Sequence, residues 1–171
     1  MILIFEWSVL CLSIFYLLFF IYLSIGHLRH RYTKSKIRRE KFSVIIAARN
    51  EEKYIRQLCQ CLIEQNYPKD HYEIIITDDL SEDSTADVLM TFCENDHLKY
   101  YRVSDYIQEP RYQHLTGKKR ALQIAIDHSQ FEYLVFTDAD CLPSKEWLHE
   151  INLHINDETD FIAGYSPLIY T

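Results

Sequence analysis

From Trp7 to Ile25 the chain carries no charge and is built mainly of Leu, Ile, Phe and Tyr. As a helix, these residues would extend about 28 Å, close to the thickness of a bilayer's hydrocarbon core, with every backbone polar group bonded internally. A signal peptide would need a basic start and a small-residue cleavage site. Here the chain begins Met-Ile-Leu-Ile-Phe-Glu, and Gly26-His27-Leu28-Arg29 comes directly after the apolar run. A core helix of this length would show a polar face, and none is present. The run predicts one transmembrane helix within residues 1–26.

The basic segment behind the run sets its direction. Residues 27–41 carry Arg29, Arg31, Lys34, Lys36, Arg38, Arg39 and Lys41 against the single acid Glu40. Such a basic flank belongs on the cytoplasmic side of a membrane. These residues are therefore expected to form a juxtamembrane linker, with a single-pass topology and the rest of the chain in the cytoplasm. From Phe42 onward, 11 basic residues face 23 acidic ones, a net of −12. So acidic a body argues against nucleic acid as partner, because phosphate backbones call for a basic surface. The five cysteines show no C-x-x-C spacing, which fits free thiols in a reducing compartment, acting as small buried hydrophobes.

Beyond the linker, apolar β-branched runs alternate with helical patterns. Phe42–Ala47 and Tyr72–Thr77 predict strands buried on both faces. Leu98–Val103 and Tyr133–Thr137 predict two more, and residues 160–166 a possible fifth. Helices are expected over Glu51–Gln65, from Ser84 (with Asp87 as its capping partner), over Thr116–Asp127 and over Ser144–Asn156. The segment from Ser104 to Leu115 reads as a mobile loop. This alternation implies an α/β fold with a mainly parallel sheet and flanking helices, which binds ligands at the carboxyl ends of its strands.

Two acidic clusters fall at such ends. Asp78-Asp79 follow the second predicted strand, and Asp138-Ala139-Asp140 follow the fourth. Adjacent parallel strands would bring both clusters onto one rim. Carboxylates one residue apart at a strand end can address one hard cation, Mg²⁺ or Mn²⁺, which keeps some waters and takes phosphate oxygens as further ligands.

Four segments then occur in order: Ser43-Val-Ile-Ile-Ala-Ala-Arg-Asn-Glu51, Glu73-Ile-Ile-Ile-Thr-Asp-Asp-Leu-Ser81, Gly117-Lys-Lys-Arg-Ala-Leu-Gln123 and Thr137-Asp-Ala-Asp140. Together they resemble the family 2 glycosyltransferases of GT-A fold, over roughly residues 42 to 166. The resemblance implies a donor site for a nucleotide-diphosphate sugar, most simply a UDP-sugar. Ala47, Arg49 and Glu51 would line the base and ribose. Asp79 would accept a hydrogen bond from the base, with Asp78 as its support. Lys118 would face the pyrophosphate, and Asp138 and Asp140 the sugar and the metal. Lys119 and Arg120 read as a solvated helix face. The implied reaction is inverting, metal-dependent transfer to a glycan or lipid-linked acceptor of the cell envelope.

An inverting transfer also needs a general base for the acceptor hydroxyl. In this family the base is an Asp, often in an E-D pair, well downstream of the D-x-D. Only 31 residues follow Asp140, and the one E-D pair, Glu82-Asp83, comes far earlier. The catalytic base is thus unassigned, and residues 42–171 are expected to be the nucleotide-sugar-binding part of a truncated enzyme. The alternative is an inactive remnant that at most binds a nucleotide. A nucleotidyltransferase would want a Gly-rich loop after the first strand, and a receiver domain would lack the D-x-D. The topology is open to direct test. A reporter that works only in the cytoplasm, fused after Thr171, is expected to be active, and activity of an export-dependent reporter at the same point would reverse the orientation.

Overall fold

The computed structural model describes residues 2–29, 39–156 and 160–164. The chain divides into two compact units, Met1–Lys34 and Ser35–Thr171. The first contains helix α1, Ile2–Arg29. Its segment Glu6–Ile25 has a mean hydropathy of 2.4 and is wholly exposed within the protein, so by length and composition α1 can cross a membrane.

The second unit is built on four parallel strands: β1 (Phe42–Ala48), β2 (Tyr72–Asp78), β3 (Leu98–Arg102) and β4 (Tyr133–Phe136). Their order across the sheet is β3-β2-β1-β4. Phe42 is in register with both Tyr72 and Tyr133, so β1 is hydrogen-bonded on both sides. The fourth strand is therefore a neighbour of the first, not of the second. The two acidic clusters lie on either side of β1 rather than on adjacent strands.

The β-branched runs are continuous because helices cover both faces of the sheet. On one face Val44, Ile46, Ile74 and Ile76 pack with Ile55, Leu58 and Leu62 of α2 (Ile55–Ile63). On the other, Ile45 and Ile75 meet Ala125, on the helix Lys118–Asp127. Successive strand residues alternate between these faces, and each fully buried Ile or Leu contributes about 1.5–3 kcal/mol. Helix α3 (Thr85–Met90) packs beside α2. Trp147–His154, the last helix of the described residues, adds Leu148 to the α2-side core.

The four strands and the helices are present, β1 and β2 one residue longer than expected and the others shorter. The turn at 52–54 precedes α2, and Pro68 lies beyond its end. Ser84 makes no side-chain cap at the start of α3. That start is held instead by Asp83, whose Oδ1 accepts the Thr85 amide at 2.9 Å. The segment read as a mobile loop contains two short helices, α4 (Val103–Tyr106) and α5 (Pro110–Gln113), with Tyr112 fully buried. Its hydroxyl donates to Asp127 Oδ2 at 2.9 Å, a pairing that anchors α5 to the helix Lys118–Asp127, which is α6. Residues 160–164 form no strand, and the remainder of that expected fifth strand lies outside the described residues. Phe161 is 85% exposed. Of the five free thiols only Cys59 is buried, and burial pushes its pKa up to about 12.

One buried carboxylate joins all four strands at the end of the sheet where β1 and β2 begin. Glu73 on β2 accepts from Ser43 Oγ of β1 at 2.5 Å and from the Gln130 amide, just before β4, at 2.6 Å. Its other oxygen makes no hydrogen bond and has a charge as its partner instead, lying 2.7 Å from Lys99 Nζ of β3. The Phe131 amide donates to Ser43 Oγ at 3.2 Å. Burying a carboxylate is costly unless its oxygens find partners, and here both do. Glu73→Ala leaves two buried donors without an acceptor, so it is expected to lower unfolding stability by about 2–4 kcal/mol, with Glu73→Gln milder. Urea unfolding of the detergent-solubilised chain measures this, and a loss below about 0.5 kcal/mol for the alanine variant would show the network to be idle.

Candidate functional site

The strand order places a switch point between β1 and β4. Progress from β1 through β2 to β3 runs outward on one side, and β4 then lies on the other, so the connections diverge and leave a crevice beyond the carboxyl end of β1. A cleft of about 420 Å³ opens there. All seven residues singled out in the sequence border it: Ala47, Arg49, Glu51, Asp79, Lys118, Asp138 and Asp140. Ala48, Gly117 and Ala139 complete its lining.

Each wall has a local cause. Asp79 leaves β2 with its amide donating to Ala48 O at 2.8 Å, which turns the residue over the end of β1. The next residue, Leu80, has φ +59°, a left-handed conformation uncommon for a branched side chain. Asp78 acts on the turn that carries Asp79. It ends β2 and accepts the Ser81 amide on Oδ1 at 3.1 Å, which fastens the turn beyond Leu80. Asp79 itself is 4% exposed, and its Oδ1 is buried with no hydrogen-bond partner. An unbonded buried carboxylate oxygen is costly in a resting protein. Asp79 as a residue borders the cleft, where a ligand N–H could satisfy its carboxylate.

Across the cleft, Gly117 precedes α6 with φ +54° and ψ −143°, a conformation close to glycine-only. A Cβ there would lie 3.7 Å from Asp79 Oδ2, an ordinary contact, so the requirement for glycine comes from the backbone. Sequence reading gave this residue no role of its own, although a chain with only three glycines offers few candidates for such a turn. The first turn of α6 is Lys118-Lys119-Arg120 with no acid. Cations oppose the positive end of a helix dipole, and free N–H groups gather at the same place. An anion at this terminus would relieve both. Lys119 is exposed, as a solvated face requires, whereas Arg120 has a buried Nε with no hydrogen-bond partner.

Lys118 Nζ lies 2.5 Å from Asp138 Oδ1, with both side chains more than half exposed. In water such a pair contributes little to stability, so its interest is positional: it joins α6 to the D-x-D turn. The Asp140 side chain is exposed, and Ala139 between the two acids is buried, which orients the turn. Glu51 holds its proton above the ordinary carboxylate range, chiefly because of burial and then because of the fields of Asp140, Asp83 and Asp138. Four carboxylates and two cations therefore border the cleft, leaving it acidic.

A hard divalent cation suits this donor set. Among the described residues no three or more His, Cys, Asp or Glu side chains are grouped as a cage. Mg²⁺ and Mn²⁺ do not need one, since they are commonly held by one or two carboxylates together with substrate phosphates and water. Asp138 and Asp140 could supply the carboxylates, and the excess negative charge gives a cation reason to bind.

Comparison with known proteins agrees with this geometry. The family model "Glycosyl transferase family 2" matches residues 43–170. The chain is 31% identical over 117 residues to a poly(ribitol-phosphate) beta-N-acetylglucosaminyltransferase, TarS, of Staphylococcus aureus, a match covering 68% of this chain and 19% of that protein. It is 36% identical over 119 residues to a probable glycosyltransferase, YdaM, of Bacillus subtilis, covering 69% and 27%. The matches thus span only a fifth to a quarter or so of those relatives. Among solved structures, S. aureus TarS 1–349 in complex with UDP-GlcNAc superimposes with a TM-score of 0.52 at 30% identity, covering 65% of this chain and 30% of that one. A mannosyltransferase of Pyrobaculum calidifontis, in complex with GDP-Man and Mn²⁺, shares the fold with a TM-score of 0.66 at 24% identity, covering 82% and 40%. With its parallel sheet, its switch-point cleft and a family match over most of its length, the chain belongs to glycosyltransferase family 2.

Proposed function

We propose that this chain binds a nucleoside diphosphate sugar in the β1 cleft, with UDP as the favoured nucleotide, for metal-dependent, inverting transfer to a glycan or lipid-linked acceptor of the cell envelope. The observation that carries the reading is that Asp79, which has one buried oxygen without a hydrogen bond, lines the same cleft as Lys118 and Gly117 at the α6 N-terminus. A uracil imide N–H is a donor of the right kind for Asp79. Ala47, Arg49 and Glu51 would flank the base and ribose. The diphosphate would meet Lys118 and the free amides of α6. Relatives of the same family that bind UDP-GlcNAc or build poly(ribitol-phosphate) glycosides support the substrate class.

A divalent cation, when bound by Asp138 and Asp140, supplies positive charge to the departing diphosphate. Lys118 adds a second positive charge to the same group, and electrostatic stabilisation of this kind often makes a large contribution to catalysis. Transfer of the Lys118 ammonium from Asp138 to the phosphate would free a carboxylate oxygen for the cation. In this reading residues 1–26 anchor the protein as a single membrane span, 27–41 form the basic linker, and 42–171 form a cytoplasmic donor-binding part beside the membrane that holds the acceptor.

Two measurements test the reading. Calorimetry of the full chain with UDP is expected to give binding strengthened by Mn²⁺ or Mg²⁺. Asp140→Ala should abolish the metal's effect, and Asp79→Asn should weaken UDP by about tenfold, the scale of one hydrogen bond to a buried charged group. Metal-dependent binding that is equal in wild type and Asp140→Ala would remove Asp140 from the site. In the absence of ligand, a carbon-detected NMR titration should find the Glu51 carboxyl above its ordinary range and lower in Asp140→Asn, because one repelling charge is gone. An unmoved Glu51 would show that the two acids do not share the cleft's field.

A further inference from the structure

The loops that leave β1 and β2 are stitched together by side chains to a degree that the fold alone does not demand. Three consecutive amides after β1 each donate to a side chain of the second loop: Asn50 to Ser81 Oγ at 2.9 Å, Glu51 to Thr85 Oγ1 at 2.7 Å and Glu52 to Asp83 Oδ2 at 3.2 Å. Two amides return the arrangement, Glu82 donating to Asn50 Oδ1 at 2.8 Å and Ser84 to Glu52 Oε2 at 3.1 Å. The centre of the lattice is Thr85, fully buried. Its hydroxyl gives its one proton to Asp83 Oδ1 at 2.5 Å, so it can meet the Glu51 amide only as an acceptor. Asp83 is held below its ordinary carboxylate range. The desolvation it suffers pushes it up, but hydrogen bonds from the Thr85 hydroxyl and amide and from the Glu52 amide outweigh that effect.

The first loop has its own strain at this point. Asn50 adopts φ +56°, and Leu80 in the facing loop φ +59°. Left-handed residues in both loops persist only where surrounding bonds fix them. The two residues that the strained loop aims into the cleft are Arg49 and Glu51, which flank Asn50.

We infer that Ser81, Asp83 and Thr85 are positioning residues for the nucleoside end of the cleft, acting through the amides of Asn50, Glu51 and Glu52 to hold Arg49 and Glu51 in binding position. The inference rests on the nucleotide-binding reading above and deepens it. None of the three residues borders the cleft, and none is needed for the pyrophosphate end, where Lys118, Asp138 and Asp140 stand. The lattice therefore acts on one half of the ligand and leaves the other alone.

That selectivity is the test. Calorimetry on the full chain in detergent with Mn²⁺ compares two probes, UDP and inorganic pyrophosphate. Thr85→Val keeps the shape of the side chain and removes the hydroxyl, leaving the Glu51 amide without its acceptor. It is expected to weaken UDP by about tenfold while changing pyrophosphate by less than about twofold. Thr85→Ser restores the hydroxyl and should recover most of the UDP affinity. Ser81→Ala, away from the core, should lower UDP affinity in the same direction by a smaller factor, and it decides the matter if Thr85→Val fails to fold. UDP affinity unchanged in Thr85→Val would overturn the inference, as would a parallel loss of both probes, which would assign the lattice to folding alone. A wild-type chain that binds pyrophosphate with Mn²⁺ but not UDP would instead refute the nucleotide reading, and the inference with it.

Discussion

Everything in the second unit depends on β1 being hydrogen-bonded on both edges while covered on both faces. A strand in that position has no route to solvent except through its ends. Its carboxyl end becomes the floor of the cleft because the chain departs to β2 on one side and returns as β4 on the other. Parallel pairing then sets the level of everything else. Ala48 in register with Asp78 brings Asp79 over the strand end, and Ile45 in register with Phe136 brings the D-x-D turn up on the opposite side. The acids converge because backbone register leaves them no other position.

The opposite end of the sheet solves a different problem. Glu73 is a charge in a core, tolerated because Ser43, Lys99 and the Gln130 amide partner both its oxygens. A network in which each oxygen has its partner specifies how strands pair, whereas apolar contacts alone tolerate slippage. Asp79 is the counterpart at the cleft: equally buried, yet with one oxygen unbonded. Each of these two carboxylates has one oxygen without a hydrogen bond, but Glu73's is ion-paired with Lys99. The ion-paired one serves the fold, and the other belongs to a residue that lines the cleft.

The acidic cleft, with cations at a helix start that would ordinarily repel them, obeys the same logic. Lys118 and Arg49 against four carboxylates form an unbalanced set in the free protein. A diphosphate carrying a divalent cation adds both signs of charge where each is lacking. The stitched loops hold the Arg49 and Glu51 side of that set in a strained conformation, which leaves less ordering for any ligand of the cleft to impose.

How much of this could be read from residues alone is plain from particular elements. The runs rich in β-branched residues at Phe42–Ala47 and Tyr72–Thr77 announced doubly covered parallel strands, because burial on both faces favours such composition. The charge-free run of α1 and the residues later found around the cleft were equally legible, since their signals are local: hydropathy, spacing, and acids directly after strands. The segment Ser104–Leu115 reads as a loop in the sequence because its order comes from Tyr112, whose bond to Asp127 crosses fifteen residues of sequence. The Ser84–Asp87 cap failed for a similar reason, as Asp83 outcompetes it by also bonding Thr85 and the amide of Glu52 from another loop. By itself the sequence determined the elements and the chemical kinds of residue at their ends. The tertiary structure decided that β4 lies beside β1, that Asp79 Oδ1 is left unbonded and that the two loops lock together, because each depends on which distant backbone groups are brought within hydrogen-bonding reach, and no local pattern encodes that distance.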